Sequence, residues 1–572
     1  MDRTAGQPHF LDLFAKEWPK HYSGSHKPRD NRPCLEDIFE GVRAQGQEPN
    51  GDDAQLFMES YDDDLMSSTC QDAIRFLLTV SSDNLYDQKH SKKNGTAWIH
   101  DCTLDQTLQK EHPATLLGDV ALRVPRDYDA PLTAGDLHRH LRERRFDHDT
   151  YLDADRRLIR ILDPDGFDFL AVVKTATFHQ RRSIQDVICK YIAQETSIKA
   201  TIPEEGYANY QLELHIPFYA LRRSHPEQDF VNRQKRTHRG WMNLSFLDTE
   251  EIDPEDEGVL GIHQAQISIT ICGTDNSRWI AYCFEDRYFD EDAELGQDEH
   301  TLIHQSDQIA NGEFGAENII WDSREYYLRV FLIRMRQVQR EWIRLVDVIE
   351  SGIKKHSWGR VFYSATRTGV PPEMDESVAL MWINSTLELL RKLLDDIQKT
   401  NDAWTSFISN SGDFAYFSDT HTNPRMKRTF NQLTNVFNEM QKLQKTLRRI
   451  AGQCRERAES VNLRLASESK KNAELTVYFI SPFALVSTFF AIPVPILGFD
   501  RNFLSFVIAI LVYIVALQGL LFFWGGRLWR QAWWERLSRR AKAAWNGDSS
   551  LTTTNDAGVT KLRRRATHAG FV

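Results

Sequence analysis

Three small side chains recur along one stretch of the sequence that carries no charge. Ser481, Ala484 and Thr488 are spaced three and four residues apart, so in an α-helix they share one face. Hydroxyl groups on such a face can replace part of the hydration shell of an ion, which predicts the lining of a cation pathway. The same hydroxyls also suit hydrogen bonding to a neighbouring helix, and the sequence leaves both interpretations open.

Acidic side chains are concentrated in three further runs, Asp62–Asp64, Glu250–Glu257 and Asp286–Glu299. Carboxylates are the hard oxygen ligands that magnesium and other divalent cations prefer, but solvated surface loops have the same composition. None of these runs has the ligand spacing of an EF-hand. A divalent cation is therefore expected only as a transported or regulatory ion, and no cofactor is predicted.

The sequence contains no motif for catalysis. It has no phosphate-binding loop, no nucleophile elbow, no zinc-protease helix and no kinase signature, so an enzyme is not expected. The seven cysteines are scattered and form no CxxC pair. This spacing predicts neither a zinc site nor a disulfide framework.

Two long uncharged runs would position the small side chains. No Asp, Glu, Lys, Arg or His occurs over 475–499 or over 502–526, and each run exceeds the roughly 20 residues that a membrane-spanning helix requires. The sequence therefore predicts transmembrane helices over 475–497 and 503–524.

Basic residues near the ends of these runs predict their orientation. Two lysines at 470–471 precede the first run, and Arg527 and Arg530 follow the second, whereas the short link between the runs holds Asp500 and Arg501. Because positive charge is enriched on the cytoplasmic side, both termini are predicted to be cytoplasmic and the link external. The expected localisation is a multi-pass integral membrane protein.

The rest of the chain is organised into an N-terminal region, an α/β domain, a helical region and a tail. Hydrophobic residues make up 41% and charged residues 26% of the chain, which suits a mainly water-soluble protein. Residues 1–150 are weakly patterned, 151–320 mix strand and helix patterns, 321–474 are helical, and 525–572 form a basic tail. The fold class is thus predicted to be α+β, and the tail favours contact with a lipid bilayer over nucleic acid.

The helical region ends in a long stalk helix with a heptad stripe. Apolar residues occupy the a and d positions from Phe430 to Leu465, with one polar interruption at Gln444. Two interpretations remain open, because packing against the two preceding helices and self-association around a common axis both bury such a seam.

The order of these parts resembles the CorA magnesium-transporter superfamily, and in particular its divergent fungal members. The similar strings are ADRRLIRILD (154–163), TATFHQRRSIQDVI (175–188), QLELHIPFYALR (211–222), DSREYYLRVFLIRMRQVQREW (322–342) and FISPFALVSTFFAIPVPI (479–496). The resemblance implies a homo-oligomer, most simply a pentamer, with the first span lining a pore.

The signature of that family is absent at the corresponding positions. The family has Tyr-Gly-Met-Asn at the positions that correspond here to Phe490, Ala491, Ile492 and Pro493. The resemblance associates this string with the pore entrance. The first expectation is accordingly a CorA-like cation channel or transporter with a degenerate selectivity filter. The alternative is a non-conducting, membrane-anchored scaffold or sensor that keeps the architecture.

Overall fold

A computed structural model gives the fold of the chain. It describes residues 16–24, 33–45, 53–59, 68–80, 84–86, 95–104, 124–203, 209–224, 239–247, 259–286, 307–313, 319–363, 376–476, 480–491, 503–516 and 519. These residues fall into two compact units, 1–458 and 459–572.

A mixed seven-stranded sheet forms the centre of the first unit. Its strands are β1 (Ala97–Cys102), β2 (Arg156–Leu162), β3 (Ser197–Thr201), β4 (Tyr210–Ser224), β5 (Trp241–Asn243), β6 (Val259–Gly273) and β7 (Trp279–Glu285). The order is β1-β2-β7-β6-β4-β3, and β5 pairs with β6. All neighbours are antiparallel except β2 and β7, which run parallel with Arg156 beside Trp279.

The described part of the chain also contains a series of α-helices. They are α1 (Leu35–Ala44), α2 (Asp53–Glu59), α3 (Ser68–Leu77), α4 (Ala134–Arg142), α5 (Gly166–Thr175), α6 (Arg181–Ala193), α7 (Ser323–Tyr363), α8 (Glu376–Phe407), α9 (Pro424–Leu475) and α10 (Ser481–Ala491). A further helix covers 503–516.

Helices α1 to α6 cover one face of the sheet and close an apolar core over it. Helix α5 begins at an Asp165 cap, whose side chain accepts hydrogen bonds from the backbone of Phe167 and Asp168. Its buried Phe169 meets Phe284 of β7 edge-on, with ring centroids 5.1 Å apart. This aromatic contact fixes the helical layer against the parallel strand pair.

Buried ion pairs hold the opposite face of the sheet to the 307–312 turn and to α7. Arg156 donates to Asp307, Arg160 donates to Glu285, and Arg334 forms an ion pair with Glu285 at 3.1 Å. Because these charges are buried, removing one partner of a pair destabilises the fold far more than the intact pair stabilises it.

Helices α7, α8 and α9 pack together along the heptad stripe of α9. Trp404 of α8 stacks on Phe437 of α9 with centroids 4.4 Å apart, and Phe331 of α7 contacts the same ring edge-on. The polar residue that interrupts the stripe is also hydrogen-bonded, since Gln444 accepts a hydrogen bond from Asn401 at 3.2 Å. Up to Cys454 the stripe is therefore buried by intramolecular packing, one of the two interpretations that the sequence allows.

The prediction of two membrane-spanning helices is wrong. In the part of the chain that the structure describes, no helix combines the length and the apolar character needed to cross a bilayer. The described extent of α10 is 11 residues, about 16 Å at 1.5 Å per residue, against a hydrocarbon core of roughly 30 Å. The described residues within 475–497 and 503–524 therefore contain no membrane-spanning helix.

The physical reason is that an uncharged run measures composition and not helix length. Helix α9 is described to Leu475 and helix α10 over Ser481–Ala491, while 477–479 and 492–502 lie outside the described residues. The localisation as a multi-pass integral membrane protein with both termini cytoplasmic, which rested on these spans, is corrected with them. The basic tail over 525–572 lies outside the described residues.

Candidate functional site

The three predicted pore-lining residues all belong to α10. Ala484 and Thr488 are exposed, and the side chain of Ser481 lies outside the described set. The Thr488 hydroxyl donates a hydrogen bond to the Leu485 carbonyl of its own helix at 2.8 Å. Such back-bonding occupies the hydroxyl within one helical turn.

The predicted filter positions are only partly described. Phe490 meets Phe506 edge-on with centroids 5.3 Å apart, and Ala491 is the last residue of α10. The remaining predicted positions lie outside the described residues: Ile492, Pro493, Asp500 and Arg501.

The predicted acidic runs contribute one described residue, Asp286. Its carboxylate accepts hydrogen bonds from the Gln266 backbone at 2.7 Å, from Arg239 at 3.0 Å and from the Tyr191 hydroxyl at 2.5 Å. It is therefore bound within the fold. The described residues include no cluster of acidic, histidine or cysteine side chains suited to a metal ion.

A different site, which we call the arginine pocket, lies between the starts of β2 and β7 and the first turns of α1 and α6. Its volume is about 410 Å³. Its lining combines cationic, apolar and hydroxyl-bearing side chains: Pro33, Cys34, Asp37, Leu141, Arg142, Glu143, Arg144, Arg145, Arg157, Ile159, Thr175, Thr177, Gln180, Ile280 and Tyr282. Four arginines face two acids, so the lining carries a net charge of +2.

Arg157 is the most deeply buried cation of the arginine pocket. Its Nε and Nη2 donate to the two carboxylate oxygens of Asp101 at 2.8 and 2.7 Å. Burial disfavours the charge, but Asp101 and Tyr128 outweigh that effect and raise the pKa of Arg157. No described group accepts a hydrogen bond from its Nη1, so this nitrogen remains available to a ligand.

The other three arginines differ in how far the fold uses them. Arg145 Nη2 donates to the Trp279 carbonyl at 2.7 Å, and Arg142 lies 3.4 Å from the Asp37 carboxylate. Arg144 is exposed, and no described carboxylate lies within ion-pair distance of its side chain. Arg144 therefore supplies positive charge at the mouth of the cavity.

Tyr282 supplies a hydroxyl that is open to the arginine pocket. The residue is only 4% exposed and lines the pocket, and no described group lies within hydrogen-bond distance of its hydroxyl. Burial raises the pKa of Tyr282, with Cys272 acting in the same direction, so the phenol stays protonated. A donor in this position is available to a ligand or to water.

The N-terminal region forms one wall of the arginine pocket. The Leu35 backbone donates to the Ala176 carbonyl at 3.0 Å, and Cys34 forms an isolated β-bridge with Thr177. Burial raises the pKa of Cys34 to about 11, so its thiol is neutral at pH 7. Residues that the sequence leaves without a role therefore help to enclose the cavity.

A buried histidine joins α1 to α4 beside this wall and predicts a pH dependence. His138 Nε2 lies 2.9 Å from Glu36 and its Nδ1 2.6 Å from the Tyr86 hydroxyl, with Lys174 and Arg142 also near Glu36. Burial lowers the pKa of His138, although Glu36 acts in the opposite direction. The folded chain thus binds fewer protons here than the unfolded chain.

We expect the free energy of unfolding to be fully retained above about pH 6.5 and to decrease as the pH falls below it. His138→Gln should make this decrease shallower, as measured by urea unfolding at pH 5.5 and 7.5. Burial also lowers the pKa values of His100 and His215, which account for the slope that remains. Identical slopes in the variant and the parent would contradict the assignment to His138.

A second cavity of about 290 Å³ lies at the outer edge of β1. Its arginines are already engaged, since Arg126 lies 3.4 Å from Glu143 and Arg160 donates to Gln308 at 2.9 Å. Asp101 lines this second cavity and binds Arg157 of the arginine pocket. The two cavities therefore share one ion pair, but only the arginine pocket has uncommitted donors.

Sequence reasoning missed this site, although part of its signal was visible. Three arginines lie at 142, 144 and 145, and Arg157 opens a strand pattern. Nothing local marks Tyr282, which sits in an apolar run. Only the parallel pairing of β2 with β7 places it opposite Ile159 and near the arginines.

Comparisons with protein-family models and with characterised proteins identify no relative. The sequence matches no protein-family model. A comparison with characterised proteins gives no significant match either. The CorA-like resemblance therefore rests on the quoted strings alone and stays a prediction.

Proposed function

We propose that this chain is a non-conducting sensor or scaffold protein whose arginine pocket binds a small oxyanion. This is the second of the two functions that the CorA-like resemblance allows, without the membrane anchor. It keeps the expected order of an α/β domain followed by long helices, and the expected self-association through α9. The proposal concerns binding and includes no catalytic step.

The observation that carries the proposal is a pair of donors that line a positively charged cavity and have no described protein acceptor. The Tyr282 hydroxyl and Arg157 Nη1 have no described acceptor, and both belong to side chains that line the same space. Charge-assisted hydrogen bonds from such donors to an oxyanion are about twice as strong as neutral ones. The exposed Arg144 adds attraction at the mouth.

The first turns of two helices favour the same ligand charge. Cys34 and Gln180 are the N-caps of α1 and α6, and both line the cavity. Helix N-termini carry partial positive charge and favour anions. A cation in the same place would face a net charge of +2 and these two helix ends.

Cation conduction, the first function that the resemblance implies, stays a prediction. The positions from Ile492 to Arg501, which include part of the predicted filter and the link, lie outside the described residues. No described feature favours it over oxyanion binding.

The proposal predicts that inorganic phosphate binds the full chain and that Tyr282→Phe weakens this binding about tenfold. Loss of one hydrogen bond to a charged group costs about 1.5–3 kcal/mol, and 1.4 kcal/mol corresponds to a factor of ten. Arg144→Gln should weaken binding about threefold, because an exposed charge acts through solvent. Titration calorimetry at constant ionic strength and pH 7.5 measures both effects.

Two controls make this test specific to the arginine pocket. Arg139→Gln removes an exposed arginine of α4 that pairs with Asp136 and does not line the cavity, so phosphate affinity should not change. Tyr282→Phe should also leave the free energy of unfolding within about 1 kcal/mol of the parent, because the hydroxyl has no described partner. Equal phosphate affinity in the parent and Tyr282→Phe would overturn the proposal.

A further inference from the structure

The arginine pocket is too large for a simple inorganic anion. The cavity volume is about 410 Å³, whereas room for a single water molecule requires only about 10–15 Å³ on the same measure. A five-atom oxyanion would fill less than half of it. Cavities of 300–1,000 Å³ are typical of sites for small organic ligands.

The lining of the pocket is divided into a cationic and an apolar side. Arg157 lies at the start of β2, and the same strand presents Ile159 two residues further on. Ile280 of β7 and Leu141 of α4 complete an apolar floor. Polar ligand atoms are therefore accommodated at one side, while the other side favours a body with little polarity.

Tyr282 lies where the two parts of the lining meet. Its ring belongs to the apolar core over the sheet, and its hydroxyl is close enough to Arg157 and Arg145 for their charges to act on its pKa. A ligand that reaches both the hydroxyl and the isoleucine floor needs an oxyanion attached directly to a carbon framework.

The charge of the lining selects among such oxyanions. The pocket carries +2, and a phosphate monoester carries close to −2 at pH 7 because its second pKa is about 6. A carboxylate carries only −1. The phosphate monoester matches the number of uncompensated positive charges.

We infer that the arginine pocket takes an organic phosphate monoester whose carbon body is largely apolar, with the phosphate against Arg157, Arg144 and Tyr282. This inference rests on the proposed function, because it names the ligand class of the same site. Gln180 lies at the rim, where its side-chain oxygen already accepts from the Thr177 backbone at 3.2 Å.

The test compares phenyl phosphate, inorganic phosphate and benzoate on the full chain by titration calorimetry at pH 7.5. We expect phenyl phosphate to bind at least tenfold more tightly than either of the others, since only it presents both the dianion and an apolar ring. Equal affinity for phenyl phosphate and inorganic phosphate would overturn the inference and leave the oxyanion site intact. Benzoate binding as tightly as phenyl phosphate would overturn the choice of a dianion.

Two variants test the apolar floor and the phosphate-binding side of the pocket separately. Leu141→Gln keeps the size of a partly exposed side chain and removes apolar surface, so the ratio of the affinity for phenyl phosphate to that for inorganic phosphate should fall below threefold. Tyr282→Phe should weaken both ligands by the same factor. An unchanged preference in Leu141→Gln would contradict the apolar floor, and a failure of all three ligands to bind would overturn the proposed function itself.

Discussion

Replacing Arg157 with Met should lower the free energy of unfolding by about 3–5 kcal/mol and abolish oxyanion binding. The substitution leaves the Asp101 carboxylate buried beside Tyr128 without its bidentate partner, and a buried charge that loses its partner has a cost of this size. It also removes the deepest donor of the arginine pocket. Urea unfolding followed by far-UV circular dichroism measures the first effect, and phosphate titration the second.

The matched control for Arg157→Met removes both charges. In the double variant Arg157→Met, Asp101→Leu, no uncompensated carboxylate remains, so we expect about 1–2 kcal/mol of the lost stability to return while oxyanion binding stays absent. Stability and binding are then separated in one experiment. If Asp101→Leu lowered the free energy of unfolding as much in the Arg157→Met background as in the parent, the two residues would not be coupled.

Replacing Leu447 with Asp should unfold the helical region of the first unit. Leu447 is fully buried in the single chain, and the change removes about 2–5 kcal/mol of core packing and buries a charge without a partner. We therefore expect a loss above about 4 kcal/mol, measured by urea unfolding. A loss below about 1 kcal/mol would contradict the intramolecular packing of α9.

Val461→Asp is the matched substitution further along the same stripe. Val461 belongs to the second compact unit and is partly exposed, so the free energy of unfolding should change by less than about 1 kcal/mol. Self-association along this part of α9 would be weakened, because the pairing surface would carry like charges. A decrease in molar mass by light scattering, with stability unchanged, supports the proposed homo-oligomer, and an unchanged monomeric mass in parent and variant contradicts it.

The local elements could be predicted from the sequence because their signals are periodic. The region over 151–320, predicted to mix strands and helices, contains β2 to β7 together with α5 and α6. The region over 321–474, predicted to be helical, contains α7, α8 and nearly all of α9. Periodicity reports which face of an element is buried, and that information is contained in a short window.

The arrangement of these elements could not be predicted in the same way. Strand β2 pairs in parallel with β7, although more than a hundred residues separate them in the chain. The arginine pocket depends on this pairing, since Arg157 and Tyr282 come from the two strands. The two residues are too far apart in the sequence for one local pattern to include both. The sequence therefore could not predict that they line the same pocket.

The failed prediction of membrane spans has a related cause. The runs over 475–499 and 502–526 satisfy a rule about composition, whereas a span requires one continuous helix of sufficient length. Among the described residues, no helix combines that length with the necessary apolar character. An uncharged run does not determine where a helix ends.

The parallel pairing of β2 and β7 also bears on how the chain folds. Closing a loop of more than a hundred residues is entropically costly, so non-local pairs of this kind form slowly. The arginine pocket lies at the starts of these two strands and therefore exists only after the pair has closed. A ligand of the pocket binds only chains that have completed this step and, at a hundred times its dissociation constant, stabilises them by about 2.7 kcal/mol. Such a ligand would act as a chemical chaperone and would protect the newly closed sheet from proteolysis.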